Sequence, residues 1–167
     1  MALQKKICLL GEFAVGKTSL VERFVYQRFS EQYLSTIGVR IARKTICLTG
    51  ETDVNLFVWD LAGGEAYTGV QASYLQGSSG ALLVCDLTRP ETLQILPVYA
   101  GQVRSINPQA SLYLLANKSD LVTQRRVTDR ELTALAGELD ADFQLTSAKT
   151  GQGVETAFYR LAERILA

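Results

Sequence analysis

The stretch at 11–18 constrains the fold of this chain more than any other feature. It reads Gly-Glu-Phe-Ala-Val-Gly-Lys-Thr and fits the spacing G-x-x-x-x-G-K-[ST]. An apolar run at 7–10 precedes it like a buried strand, and a helical pattern at 19–25 follows it. In a strand–loop–helix unit, the loop amides and the helix N-terminus can bind a polyphosphate. We predict such a phosphate loop, with Lys17 reaching the terminal phosphates and Thr18 ligating Mg²⁺. Because glycine and lysine are common, a chance match is the alternative for this stretch alone.

Composition and charge limit the classes of partner. With 167 residues the chain is long enough for one domain, 1–167, with its own hydrophobic core. The 17 Lys and Arg residues balance the 17 Asp and Glu residues, so we expect no nucleic-acid partner. No apolar run approaches the roughly 18 residues of a membrane span, and the stretch before the first strand is too short for a signal peptide. The absence of histidine excludes histidine-based catalysis.

The three cysteines, Cys8, Cys47 and Cys85, each lie in an apolar run typical of a strand. An odd number of cysteines without metal-ligand spacing disfavours a disulfide framework and a zinc site. We therefore predict that all three are small buried core residues. This usage is typical of the reducing cytosol, and we expect a cytoplasmic location.

Strand and helix patterns alternate along the chain. We predict strands at 5–10, 39–48, 54–59, 80–85, 111–116 and 142–145, and helices at 17–27, within 61–79, in part of 90–106, at 128–139 and at 153–166. The strands at 39–48 and 54–59 form an antiparallel hairpin around a turn at 50–53. Pro97 is expected in the first turn of its helix, where its missing N–H costs no bond. The alternation predicts a three-layer α/β domain with a mostly parallel sheet.

A D-x-x-G motif, Asp60 to Gly63, ends the third predicted strand. Beside a phosphate loop, Asp60 can hold the hydration shell of Mg²⁺. Gly63 can bring its backbone N–H to a γ-phosphate without a side chain in the way. By itself the motif is also compatible with a strand-ending Asp and a turn glycine.

An N-K-x-D motif, Asn117 to Asp120, follows the fifth predicted strand. The Asp120 carboxylate only accepts hydrogen bonds, so it suits the two adjacent N–H donors on the Watson–Crick edge of guanine. After the last strand comes Ser147-Ala148-Lys149, where a backbone amide can meet the base carbonyl. Either motif alone could be an ordinary surface loop. Four motifs in this order at strand ends favour a guanine-nucleotide site over an ATPase site.

With these motifs the chain resembles a small GTPase of the Ras superfamily, nearest the Rab and Ras branches, over essentially its whole length. The resemblance implies the P-loop NTPase fold, with a six-stranded, mostly parallel sheet and about five helices. It also implies a molecular switch that binds GTP or GDP with Mg²⁺ and hydrolyses GTP to GDP and phosphate. Trp59, before Asp60, resembles the Rab pattern, and a core aromatic at a strand end is an alternative that is compatible with it.

The resemblance also implies site residues and partners. Phe29 matches the aromatic that packs on guanine, and Tyr33 and Thr36 match the first switch loop. Effectors, exchange factors and GTPase-activating proteins would use the loops at 28–38 and 61–79, which order with GTP and relax with GDP. The implied catalytic positions are Lys17, Thr36, Gly63 and Gly64, and the implied metal ligands are Thr18, Thr36 and Asp60. The implied nucleotide contacts are Glu12, Phe13, Ala14, Val15, Gly16, Lys17, Thr18, Ser19, Phe29, Tyr33, Thr36, Gly63, Asn117, Lys118, Asp120, Ser147, Ala148 and Lys149.

Three departures from the family pattern are informative. Gly64 stands where the family has the Gln that orients the attacking water, so we predict slow intrinsic hydrolysis. Glu65 is a weak substitute, because a carboxylate near a γ-phosphate is electrostatically unfavourable. Phe13 replaces a small residue and would crowd a partner's arginine finger. The end of the chain has no prenylation cysteine, so we expect no direct membrane anchor. A GTP-binding scaffold with little or no turnover therefore remains the alternative function.

Overall fold

In the computed structural model, which describes residues 2–32, 36, 38–63 and 69–167, the framework is a six-stranded sheet. The strands, in spatial order along the sheet, are β2, β3, β1, β4, β5 and β6. β2 is antiparallel to β3, and all other neighbouring pairs are parallel. This confirms the predicted α/β fold. The strand bounds are β1 Leu3–Leu10, β2 Val39–Leu48, β3 Thr52–Leu61, β4 Gly80–Asp86, β5 Ser111–Asn117 and β6 Asp142–Leu145.

The hairpin of β2 and β3 forms one edge of the sheet. Its turn is tighter than the predicted 50–53, because Thr52 pairs with Leu48 and already belongs to β3. Gly50 (φ 86°) and Glu51 (φ 60°) take the positive φ angles that reverse the chain. At the other end of the hairpin, the Ala62 N–H donates to the Gly38 carbonyl at 2.9 Å, so the segments that flank the two strands are bonded to each other.

Six α-helices lie among the described residues, where about five were expected. The difference arises because the predicted helical region at 90–106 divides into two helices at Ile95, and Pro97 lies in the first turn of the second, as predicted. The bounds are α1 Lys17–Tyr26, α2 Gly69–Leu75, α3 Glu91–Gln94, α4 Leu96–Ile106, α5 Asp129–Glu138 and α6 Val154–Leu166, with a 3₁₀ turn at Val122–Gln124. In the part of the chain that the structure describes, none of the helices is both long and apolar enough to cross a membrane.

The sheet has a hydrophobic core on each face because its strands alternate their side chains. Ile7 and Leu9 of β1 face the core under α1 and α6, where the rings of Phe24 and Phe158 stack with centroids 3.9 Å apart. Cys8 of β1 faces the opposite core, under α2, α3, α4 and α5. The parallel strands thus lie between two helical layers, with their carboxyl ends at a common edge.

The prediction that all three cysteines are buried is wrong for Cys47. Cys8 and Cys85 are buried in central strands, and burial raises the pKa of the Cys85 thiol to about 12. Cys47 lies in the edge strand β2 between the buried Ile46 and Leu48, and therefore points to the uncovered face. The apolar run around Cys47 identified the strand correctly but did not say which face of it each residue occupies.

Candidate nucleotide-binding site

A cleft of about 330 Å³ opens at the carboxyl ends of the parallel strands. This is where open α/β sheets bind their ligands. It brings together fourteen of the sequence-predicted residues: Phe13, Ala14, Gly16, Lys17, Thr18, Ser19, Phe29, Thr36, Gly63, Asn117, Lys118, Asp120, Ala148 and Lys149.

The backbone of the loop between β1 and α1 has positive φ angles at two positions besides Gly11. Ala14 has φ 63° and Gly16 has φ 105°. A Cβ atom at Gly16 would lie 2.3 Å from Nδ2 of Asn117, so a glycine is required there. The Asn117 amide in turn donates to the Val15 carbonyl at 2.9 Å. The N-K-x-D motif therefore packs directly on the predicted phosphate loop.

Lys17 is buried in the loop. Its Nζ donates to the carbonyls of Gly11 and Glu12 at 2.9 and 3.0 Å. Burial lowers the pKa of Lys17 to about 8, although the charges of Asp60 and Glu12 oppose this shift. A bound polyphosphate would add negative charge beside the ammonium and favour its charged form. Glu12 itself accepts a hydrogen bond from the Tyr99 hydroxyl of α4 at 2.9 Å and is not part of the cleft lining.

Gly63 lies against the phosphate loop. A Cβ atom at this position would be 2.4 Å from the Lys17 Nζ and 2.5 Å from the Gly11 carbonyl oxygen. Since one of these neighbours is backbone, it cannot move aside at low cost. The second motif therefore approaches the loop closely only because residue 63 has no side chain.

Asp60 forms a cluster of oxygen atoms with two threonines. The Thr18 hydroxyl donates to Asp60 Oδ2 at 2.6 Å, the Thr36 hydroxyl lies 3.3 Å from the same oxygen, and the two hydroxyls are hydrogen-bonded to each other. Asp60 is fully buried, and none of the described residues offers a hydrogen-bond partner to its Oδ1. Burial raises the pKa of Asp60, while the hydrogen bond from Thr18 and the charge of Lys17 oppose the shift. An unpartnered buried carboxylate oxygen beside two hydroxyls fits a hard cation such as Mg²⁺.

The base-recognition loops are bonded to each other. The Ser147 hydroxyl donates to Asp120 Oδ1 at 2.8 Å, and the Thr146 hydroxyl donates to Asn117 Oδ1 at 3.1 Å. Arg23 of α1 donates to the carbonyls of Ala148, at 2.8 Å, and Lys149. These bonds hold the Asp120 carboxylate and the backbone at Ala148 on the same side of the cleft. This arrangement is compatible with the predicted contacts to two N–H donors and a carbonyl on one base.

The segment after α1 forms the opposite wall of the cleft. Phe29 packs partly on the core under α1 and α6, and an ion pair joins Glu31 to Lys149 at 3.3 Å. Both partners of that pair are largely exposed, so its contribution to stability is at most about 1 kcal/mol. Two predicted site residues, Tyr33 and Gly64, lie outside the described residues. Val15 and Ser147 are fully buried and do not line the cleft.

Sequence reasoning did not include five of the lining residues among the nucleotide contacts. Leu61 and Leu121 adjoin motif positions, and this adjacency could have identified them. Segment 30–32 lies inside the loop that was expected to bind partners. The five are Ser30, Glu31, Gln32, Leu61 and Leu121. Trp59 lies outside the cleft lining; it is partly buried against the core under α2 to α5, and its ring centroid is 6.2 Å from that of Tyr74.

Comparisons with known proteins agree with this geometry. A family model described as the Ras family matches residues 6–167. The Ras-related protein Rab-4 of Dictyostelium discoideum is 36% identical over 162 residues, which cover 96% of this chain and 78% of that protein. Ras-related proteins Rab-4B of Rattus norvegicus and Homo sapiens are 37% identical over 162 residues, which cover 96% of this chain and 76% of each relative.

Proposed function

Since the chain belongs to the Ras family, we propose that it is a guanine-nucleotide switch that requires Mg²⁺ and hydrolyses GTP slowly without a partner. Family membership and the Rab-4 relatives identify the chain as a Rab-like small GTPase that binds guanine nucleotides. Its partners are of two kinds, regulators and effectors.

Mg²⁺ binding is supported by Oδ1 of Asp60, which has no hydrogen-bond partner in the described part of the chain. The described residues contain no group of three or more His, Cys, Asp or Glu side chains that could hold a metal by themselves. A cation here would therefore depend on one carboxylate, the hydroxyls of Thr18 and Thr36, and phosphate oxygens. When bound, Mg²⁺ neutralises negative charge on the phosphates.

The described residues around the loop supply electrostatic stabilisation. Lys17 and the loop amides provide positive charge where negative charge develops on a transferring phosphoryl group. Gly64, the residue after Gly63, has no side chain with which to position a nucleophilic water. We therefore propose that GTP hydrolysis occurs on this chain but is slow until a partner supplies the missing group.

Phe13 bears on how a partner would act. Its side chain is 55% exposed and lines the cleft within the phosphate loop. A ring in this position restricts the approach of an arginine from a GTPase-activating protein, a group that contributes about 10³–10⁵ in rate where it is used. We propose that a GTPase-activating partner of this chain completes the site by another route, with the water-positioning group as its main contribution.

The test is single-turnover hydrolysis of GTP by the unsubstituted chain and by Gly64→Gln. Restoring the side chain is expected to raise the intrinsic rate at least about tenfold, which is below the roughly 10²–10⁴-fold that a positioned general acid or base contributes. Asn at an exposed glycine, Gly77→Asn, is the matched control, because Gly77 lies after α2 with φ 75° and open space around it. Equal rates for the unsubstituted chain and Gly64→Gln would contradict the role assigned to Gly64.

A second candidate, a GTP-binding scaffold with little or no turnover, is favoured by the same Phe13 ring. Repeating the single-turnover assay with and without cell extract separates the two functions. Release of GDP, slow alone and faster with extract, supports the switch. No GDP under either condition over hours supports the scaffold.

A further inference from the structure

Three side chains at or just after the carboxyl ends of β4 and β5 donate hydrogen bonds to three consecutive carbonyls of the phosphate loop. Asn117 donates to the Val15 carbonyl and Lys118 to the Ala14 carbonyl, both at 2.9 Å. The third donor is Arg89, whose Nη2 donates to the Phe13 carbonyl at 2.7 Å. Asn117 and Lys118 belong to the N-K-x-D motif, whereas Arg89 belongs to none of the four motifs.

Asp86, the last residue of β4, fixes the orientation of Arg89. The Asp86 carboxylate is buried, and its Oδ2 accepts from Arg89 Nε at 3.1 Å and from Lys118 Nζ at 2.8 Å. Its Oδ1 accepts from the N–H and the hydroxyl of Thr88 at 2.8 and 2.7 Å. Burial opposes ionisation, but the bonds from Lys118 and Thr88 keep the pKa of Asp86 below its usual value. The carboxylate is therefore charged and fully bonded.

The two bonds of Arg89 use different nitrogens of one rigid guanidinium. With Nε on Asp86, the planar fork directs Nη2 to the Phe13 carbonyl. In a trans peptide the C=O and the following N–H point in opposite directions. A donor that holds the Phe13 carbonyl outside the loop therefore turns the Ala14 N–H inward, and Lys118 and Asn117 do the same for the next two amides.

We propose that Arg89, oriented by Asp86, is a positioning residue that presets the phosphate loop for the β-phosphate of a guanine nucleotide. The proposal rests on the assignment of the phosphates to this loop under the proposed function. Because Asp86 also accepts a hydrogen bond from Lys118, one buried carboxylate orients two donors onto the phosphate loop. Lys118 belongs to the N-K-x-D motif, and Arg89 does not. Removing Arg89 leaves the Ala14 amide free to turn away from the phosphates, without altering the groups that meet the base.

The test compares GDP with GMP, which lacks the β-phosphate, as ligands of the full chain in Mg²⁺ buffer. Competition binding to the unsubstituted chain gives the ratio of the two affinities, and Arg89→Met is then measured in the same way. We expect the GDP affinity to fall about tenfold, as for loss of a charge-assisted hydrogen bond, with less than a twofold change for GMP. Arg130→Met, which removes an exposed arginine of α5, is the matched control and should leave both affinities unchanged.

An unchanged GDP-to-GMP ratio in Arg89→Met would overturn the proposal, whether both affinities stay or both fall together, because a merely structural brace affects the two ligands equally. If Arg89→Met does not fold, Arg89→Lys replaces it, with a smaller loss in the same ratio expected and no loss overturning the proposal. A failure of the assigned phosphate site is distinguishable, since the unsubstituted chain would then itself show no preference for GDP over GMP.

Discussion

At Asp60, the two oxygens of one buried carboxylate have different surroundings. Oδ2 accepts from the Thr18 hydroxyl, with the Thr36 hydroxyl 3.3 Å away, while Oδ1 has no partner among the described residues. We predict that Asp60→Asn raises the Mg²⁺ concentration needed to slow GDP release to half its metal-free rate by about tenfold or more. A neutral amide is a poorer ligand for a hard cation and leaves the same buried position without a charge. The measurement is GDP release across a Mg²⁺ titration.

The control for this prediction is Asp53→Asn, which makes the same change at an exposed residue of β3. The Mg²⁺ concentration that slows GDP release to half its metal-free rate should be the same in Asp53→Asn as in the unsubstituted chain. If Asp60→Asn and Asp53→Asn give superimposable titrations, Asp60 has no part in holding the metal.

Residues that belong to short motifs could be predicted individually, whereas residues that act across long sequence separations could not. Lys17 and Asp120 were identified because their neighbours in sequence fix their surroundings. Arg89 was not, because its bond to the Phe13 carbonyl spans 76 residues and an arginine after a strand has many possible partners. Burial of Cys47 was mispredicted for a related reason: which face of an edge strand is covered depends on helices that are distant in sequence.

At the scale of single elements, α1 depends on a buried acidic residue as well as on its apolar face. Glu22 is buried and forms ion pairs with Arg28, just after the helix, and with Arg40 of β2. The hydrogen bond from Arg28 and the bond and charge of Arg40 keep the pKa of Glu22 below its usual value, against the opposing effect of burial. Glu22 therefore joins α1 to the start of the loop that leads to Thr36.

We predict that Glu22→Gln lowers the free energy of unfolding by about 1–3 kcal/mol at pH 7, through loss of charge-assisted hydrogen bonds. A group whose pKa is depressed by folding contributes its full stabilisation when the pH is above the group's pKa in the unfolded state. This stabilisation is lost as the pH falls through the group's pKa in the folded state. The difference in free energy of unfolding between Glu22→Gln and the unsubstituted chain should therefore be constant from pH 7 to pH 5 and become smaller at pH 4.

Urea unfolding at these three pH values measures the effect, with Glu138→Gln, an exposed residue of α5, as the control. A difference that grows on acidification would show that Glu22 is not the stabilising anion described here.

The positions of strands and helices were predictable where the pattern of apolar residues in the sequence matches the burial of those residues in the fold. β4 is buried along its whole length, so a continuous apolar run located it to within one residue. The division between α3 and α4 was only partly predictable: Pro97 indicated where a helix could begin, but not that Ile95 would interrupt the preceding turn. The early start of β3 at Thr52 depends on pairing with Leu48, which no local pattern of residue 52 reveals.

For the whole molecule, the site is assembled from segments that are far apart in the chain. Residues of the cleft come from the beginning, middle and end of the sequence, from Phe13 to Lys149. A ligand that needs all of them binds the folded state only, so it must stabilise the fold by mass action. Sequence motifs predicted this assembly because the parallel strands bring their carboxyl ends together.

We predict that GDP with Mg²⁺, at about 1,000 times its Kd, raises the melting temperature by roughly 8–16 °C, from about 4 kcal/mol of linkage. ADP at the same concentration should give almost no shift, since the Asp120 carboxylate has no pair of N–H donors to meet on adenine. Thermal unfolding monitored by circular dichroism measures both ligands. Equal shifts for GDP and ADP would contradict the assignment of Asp120 to base selection.

The hydrogen bond between Ala62 and Gly38 couples the two segments that flank the β2–β3 hairpin. It joins the end of the first loop to the start of the second, immediately beyond the last strand pair, Val39 with Leu61. A force applied to either loop is therefore carried by the same two strand ends. A displacement of Gly38 is therefore transmitted through this bond to Ala62, and the reverse.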